Sequence, residues 1–400
     1  MQIIESTPYE NFTYALKSKD VKRQYPVMLL RFLNFTKVTG ESIEEKCISL
    51  YEFAKEIDNR KALESKLMEY VRFQEERILR KEINAGTLRN YIKAVKHFFV
   101  MNDILLNWDK IKKGVPTFTQ TSNDRNPEIL EIKTLLSYND IRIKPIVLTM
   151  LSSGIRVGAW NWLKWKNITP IVINGIIKCA KITVYYGEPD QYFSFITPEA
   201  YQALNDYMNF RRLHGEKIDG ESWLIRDQWQ KISKAHGHRI GQAGKPKKFD
   251  SEGIRRLIYD SWKVQGVLTV HDSTSTEKHQ PFKSSHGFRK FFETQCEMVM
   301  KSIDVEILMG HGFSKRGLKA NYYRPSENYL FEQYLKAVDL LTINEENKLN
   351  NHVRTLEEKD KQNQDIINEK LQEKDDAYIA LSDQVMKLME EFQQLKKSKK

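Results

Sequence analysis

Two short stretches decide how this chain reads: residues 152–162, SSGIRVGAWNW, and residues 286–292, HGFRKFF. In the first, Arg156 follows a glycine turn, and the apolar residues after it predict a helix over 157–166. In the second, His286 and Arg289 stand three apart, which puts them side by side on one helical face. A third stretch, LMGHGF at 308–313, places His311 at a helix end just after Gly310. Tyr322 and Tyr323 then lie 11 and 12 residues beyond His311. Singly these features are ordinary: a glycine turn, a salt-bridged helix, a packed tyrosine pair.

Around them lies a chain of 400 residues, natural for two domains, with 40% hydrophobic and 29% charged residues. That composition excludes wholesale disorder, and no run approaches the roughly 20 apolar residues that a membrane helix needs. The N-terminus has no apolar segment behind a basic start, and three scattered cysteines make neither a disulfide framework nor a zinc ribbon. The chain reads as cytoplasmic. A net charge of +11 suits an anionic partner without proving one.

The first 110 or so residues read as helical. Leu88, Tyr91, Ile92, Val95, Phe98 and Phe99 form one helical face, while Arg89, Lys93 and Lys96 form another, either a solvated face or one that meets DNA phosphates. Residues 112–127 hold two prolines, a glycine and a cluster of Ser, Thr and Asn, the composition of a linker. Residues 128–343 open with helices, including 144–153. A β-like region follows, with strands expected over 171–177, 181–186 and 192–196 and a Gly187-Glu188-Pro189-Asp190 turn closing the last pair. Beyond it lies a basic region that includes Lys245, Lys247 and Lys248. The expected fold class is mainly α with a small β-sheet. In the tail, residues 344–400, a heptad seam sets Leu371, Tyr378, Val385 and Phe392 at one core position and Ile367, Leu381, Leu388 and Leu395 at the other. It reads as a coiled-coil-like helix or a lone solvated one. His236, His238, His271 and His279 match no usual zinc spacing, so no metal is expected.

The order Arg156, His286-x-x-Arg289, Gly310-His311, then tyrosine resembles the signature of the tyrosine recombinase (phage integrase) family. That family's Thr-Gly-Leu-Arg stands here as Ser-Gly-Ile-Arg and its Leu-Gly-His as Met-Gly-His. The stretch after the tyrosines, YYRPSE and YLKAVDLLTI, looks most like integrases from archaea. The resemblance spans residues 1–342 and implies a helical core-binding domain at 1–111, a catalytic domain at 128–343 and a C-terminal extension at 344–400. It further implies DNA recombination or integration in a mobile genetic element, double-stranded DNA as partner, a homo-oligomer forming a tetrameric synapse, and no cofactor. Arg156 and Arg289 would clamp the phosphate oxygens with planar, permanently charged forks. His286 and His311 would donate a hydrogen bond or take the phenol proton. A tyrosine would become linked to a 3′-phosphate.

Two departures stand out. The family's lysine usually sits in the hairpin turn, which here has none; Lys181 is the nearest substitute, or a structural strand-end lysine. Nine residues commonly separate the histidine from the nucleophile, and an insertion around 314–317 restores that spacing for Tyr323, with Tyr322 the alternative. A catalytically inactive DNA-binding relative with a dimerising tail is the competing reading. Residues 329–343 carry an apolar stripe expected to pack on a neighbouring subunit.

Overall fold

The structure is a computed structural model that describes residues 6–117, 125–227, 247–268, 284–311 and 323–398. It falls into two compact units, Met1–Thr121 and Ser122–Lys400. In the first unit lie α1 (Pro8–Tyr14), α2 (Lys19–Thr36), α3 (Ile43–Lys55), α4 (Arg60–Leu79), α5 (Ala85–Met101) and α6 (Trp108–Lys113). Capping side chains mark where they begin: Thr7 and Ser42 each form a reciprocal box with a glutamate three residues on, and Asn84 caps α5. The predicted apolar face of α5 is buried, with Phe98 and Phe99 fully enclosed. Arg89 and Lys93 are exposed on its other face. Lys96 is half-buried, its ammonium 5.9 Å from the ring of Trp108, so it is tied to its own domain. The expected linker begins inside α6, and its residues 118–124 lie outside the described ones.

The second unit is built on α8 (Ile143–Ser153), preceded by α7 (Ile129–Leu136). Apart from Lys144, every residue of α8 is buried, as befits a helix apolar on all sides. A three-stranded antiparallel meander follows: β1 (Ile168–Ile173), β2 (Ile176–Val184) and β3 (Tyr192–Ile196). Helices α9 (Pro198–Leu213), α10 (Ser251–Val264), α11 (Ser284–Glu297) and α12 (Ser302–Leu308) enclose the core. They are followed by α13 (Glu327–Leu335), α14 (Val338–Leu341) and the long α15 (Glu345–Ser398). The fold is therefore mainly helical with one small sheet.

Three expectations need correction. The single strand over 171–177 is instead a hairpin, because Asn174 and Gly175 both take positive φ and reverse the chain. The helix over 157–166 is two 3-10 turns, Val157–Asn161 and Trp165–Asn167. Asn161 pins the first of these by exchanging hydrogen bonds of 2.9 Å with the side chain and backbone of Ser251 at the start of α10. Finally, the apolar stripe after the tyrosines packs into this chain's own core: Leu330, Tyr334, Ala337, Val338 and Leu341 are all buried, with Tyr334 against Phe195. In α15, by contrast, Ile367, Leu371, Leu381 and Leu388 are each more than half exposed. The side chains of Phe392 and Leu395 lie outside the described residues.

Candidate active site

The site is organised by the C-terminal end of α8, whose last carbonyls have no partners within the helix. Three separate elements supply them. Tyr334 donates to the oxygen of Ser152 at 2.8 Å, Ser194 to that of Ser153 at 2.9 Å, and Arg289 to that of Gly154. A guanidinium here also complements the negative end of the helix dipole. Gly154 is required twice over: its φ is +62°, and a Cβ would strike the ring of Phe292.

Arg156 follows two residues later and donates to the carbonyl of Gly310 at 3.1 Å. Gly310, φ +63°, ends α12 in a left-handed turn closed by the amide of His311 on the oxygen of Glu306. That turn carries His311 to Arg289, with 2.9 Å between Nη2 and Nε2. A guanidinium can only donate, so Nε2 accepts and the neutral ring keeps its proton on Nδ1. Arg289 is 4% exposed, and burial together with the charge of Arg156 lowers its pKa. Arg156 and Arg289 donate to backbone carbonyl oxygens, and Arg289 also to the His311 ring. Two adjacent cations held this way suit an anion between them, and a phosphodiester matches their forks.

Arg156, Arg289 and His311, named from three distant stretches of sequence, are thus brought together. His286 is exposed one turn before Arg289 on α11. Tyr323 is held by α12: its hydroxyl donates to the buried carboxylate of Asp304 at 2.8 Å, which also accepts from Tyr329 at 3.3 Å. Burial and these hydrogen bonds raise the pKa of the Tyr323 phenol. Lys181 shares a sheet face with Phe193 and Phe195, and its ammonium pairs with Glu327 at 2.9 Å. Lys247 and Lys248 are exposed, the latter 5.4 Å from the ring of Trp223. Tyr322, Lys245 and the four histidines of the weighed metal site lie outside the described residues.

Sequence reasoning missed two phenols beside the arginines. Tyr192 packs its ring on Gly310, and Tyr185 lies next to it with ring centroids 6.1 Å apart. Burial pushes the Tyr192 phenol up to about 12, against the pull of Arg289. Their place at the ends of the strands flanking the hairpin turn was the available signal. Asp304 offered none, since a lone aspartate in a short amphipathic helix reads as solvated.

No protein-family model matches the chain, and neither does any curated protein. Solved structures do resemble it. A Tn1549 transposon integrase in complex with circular intermediate DNA aligns with a TM-score of 0.50 at 14% identity, over 83% of this chain and 99% of that one. XerH site-specific recombinase bound to difH DNA aligns at 0.44 and 15% identity, over 84% and 94%. XerA recombinase aligns at 0.32 and 18% identity, over 82% and 97%. At these identities the likeness is one of fold.

Proposed function

We propose that the chain is a site-specific DNA recombinase that cuts and rejoins DNA through a covalent 3′-phosphotyrosyl intermediate. The observation that carries this reading is the convergence of Arg156, Arg289 and His311 on the turn at Gly310. On this reading the two arginines hold the non-bridging oxygens of one phosphate and stabilise the charge that grows there as phosphorus becomes five-coordinate. The oxygen of Tyr323 attacks, its proton passing to His286, or to Nε2 of His311 once that atom releases Arg289, and the 5′-oxygen departs. Attack requires the Tyr323 phenol to leave Asp304 first. The bond energy is kept in the phosphotyrosine, so the reverse step reseals the strand without a nucleotide cofactor.

Double-stranded DNA is the proposed partner, contacted by Arg89, Lys93, Lys247 and Lys248 among others, with Lys245 and Lys96 in support. Residues 1–111 would serve as a core-binding domain and 128–343 as the catalytic one. Copies would assemble on DNA as a tetrameric synapse, with α15 adding a coiled-coil contact. Integration of a mobile element, of an archaeal kind, is the biological setting this suggests.

The test is to incubate the protein with a randomised pool of nicked duplexes that lose the short strand after cleavage, and to sequence the DNA trapped on denaturing gels. A covalent adduct is expected with the wild-type chain. It should vanish in Tyr323→Phe, which removes one hydroxyl and leaves DNA binding intact. In Arg156→Lys, which keeps the charge and loses the fork, it should form about 10²-fold more slowly. Adduct surviving in Tyr323→Phe and lost in Tyr322→Phe would move the nucleophile by one residue. No adduct at all would leave the DNA-binding relative standing.

A further inference from the structure

Replacing an alkoxide by a phenolate on phosphorus needs a proton at the departing oxygen, because an alkoxide is far more basic than the phenolate that displaces it. Lys181 is not presented for this proton transfer, since its ammonium is paired with Glu327 on the sheet face that carries Phe193 and Phe195. What the hairpin brings to the arginines is a pair of phenols. Tyr185, the residue just after β2, has φ +55°, a left-handed conformation that aromatic residues avoid. Strain of that kind is held in place only where its surroundings enforce it. Here the enforcing elements are the turn, in which the amide of Glu188 donates to the oxygen of Tyr185 at 2.9 Å and Gly187 has φ +82°, and the neighbouring ring of Tyr192. The result sets the Tyr185 hydroxyl over Gly158, 3.7 Å from where a Cβ would stand, two residues beyond Arg156.

Arg156 and Arg289 are the positive charges acting on this phenol, and both favour its ionised form against burial. Tyr192 feels the same two charges and interacts with Arg289, and its hydroxyl is sealed from solvent, so it backs the site and does not reach a substrate. Tyr185 is only partly buried.

We propose that Tyr185 is the proton donor to the departing 5′-oxygen, acting from the strained position that follows β2, beside the two arginines. This inference rests on the reading of the chain as a DNA-cleaving enzyme. As the Tyr323 oxygen bonds to phosphorus and the P–O5′ bond breaks, the Tyr185 O–H proton passes to O5′. The Tyr185 phenolate left behind is flanked by the two guanidiniums. On rejoining, the 5′-hydroxyl returns that proton as its oxygen attacks phosphorus and Tyr323 departs.

The experiment uses the full chain and the duplex recovered from the trapped pool, made with either oxygen or sulfur at the bridging 5′ position. A thiolate leaves without protonation. Tyr185→Phe should therefore cut the oxygen substrate 10²-fold or more slowly, at the scale of general acid catalysis (about 10²–10⁴), and the sulfur substrate within a few-fold of wild type. Equal slowing on both substrates would make Tyr185 a structural residue and overturn the proposal, as would an unchanged rate on oxygen. Sulfur rescue in Lys181→Ala and not in Tyr185→Phe would give the role to Lys181. A wild-type chain that traps no duplex from the pool would overturn the cleavage reading itself, a distinct result from an active wild type with an unaltered variant.

Discussion

A carboxylate sealed from water survives as an anion only if neighbouring cations outweigh the lost hydration. Glu216 is such a case, with 2.5 Å to Arg211 and 2.7 Å to Arg226 and its side chain fully enclosed. Burial alone would raise its pKa, but the hydrogen bonds from the two guanidiniums win and hold it below the ordinary carboxylate range. A group with a depressed folded pKa adds stability above its unfolded pKa and loses it as pH falls through the folded value. Glu216→Gln strands two buried guanidiniums and should cost about 3–5 kcal/mol in denaturant unfolding at neutral pH. The variant's stability should also fall less steeply on acidification than the wild type's. An equal acid slope in both would place the dependence on other carboxylates. From the sequence, Glu216 in RRLHGEK passes for a solvated charge, because its partner Arg226 arrives only through tertiary folding. Arg156, Arg289 and His311 were readable for the opposite reason: each sits in a short word with its own turn or helix end.

Elements were legible where local periodicity decides them and illegible where a neighbour does. The face of α5 and the long α15 follow from spacing alone. The turn at Asn174-Gly175 was there to be read, as that dipeptide is the strongest short hairpin signal, but a run of isoleucines and a valine on both sides masked it. The segment after Arg156 winds as a 3-10 turn because Asn161 bonds to Ser251, a residue 90 positions away. Among the described contacts, helix α15 is anchored at its start, where Glu199 accepts from the amides of Ile343 and Asn344 and Lys133 pairs with Glu345. A chain ending after residue 357 keeps those contacts and loses the exposed heptads. Light scattering should show a lower mass for it than for the full chain at equal concentration, while adduct formation on a single half-site stays within about two-fold. Identical masses would make α15 a solvated helix.

At the scale of the whole molecule, Lys and Arg number 64 against 53 acidic residues, and exposed cations occur on both units. Long-range attraction to a polyanion is expected, and with it the release of condensed counterions. Affinity for duplex DNA, measured by fluorescence anisotropy, should fall by about 10³-fold or more between 50 and 200 mM salt if six or more phosphates are neutralised. A shallow salt dependence would limit the contact to one or two phosphates. Among the described residues, no helix is long and apolar enough to cross a membrane.

The three carbonyls at the end of α8 also set a timetable. Their partners lie 41, 135 and 182 residues further along the chain. Contacts so distant in sequence pay their loop-closure entropy late and form slowly. During synthesis the α8 terminus exists long before Arg289 is made, and Tyr334 emerges after both arginines. A nascent chain therefore carries the first arginine of the cluster without the scaffold that orients it. It acquires the complete arrangement of Arg156, Arg289 and His311 only when the stretch that contains Tyr334 has left the ribosome and folded back.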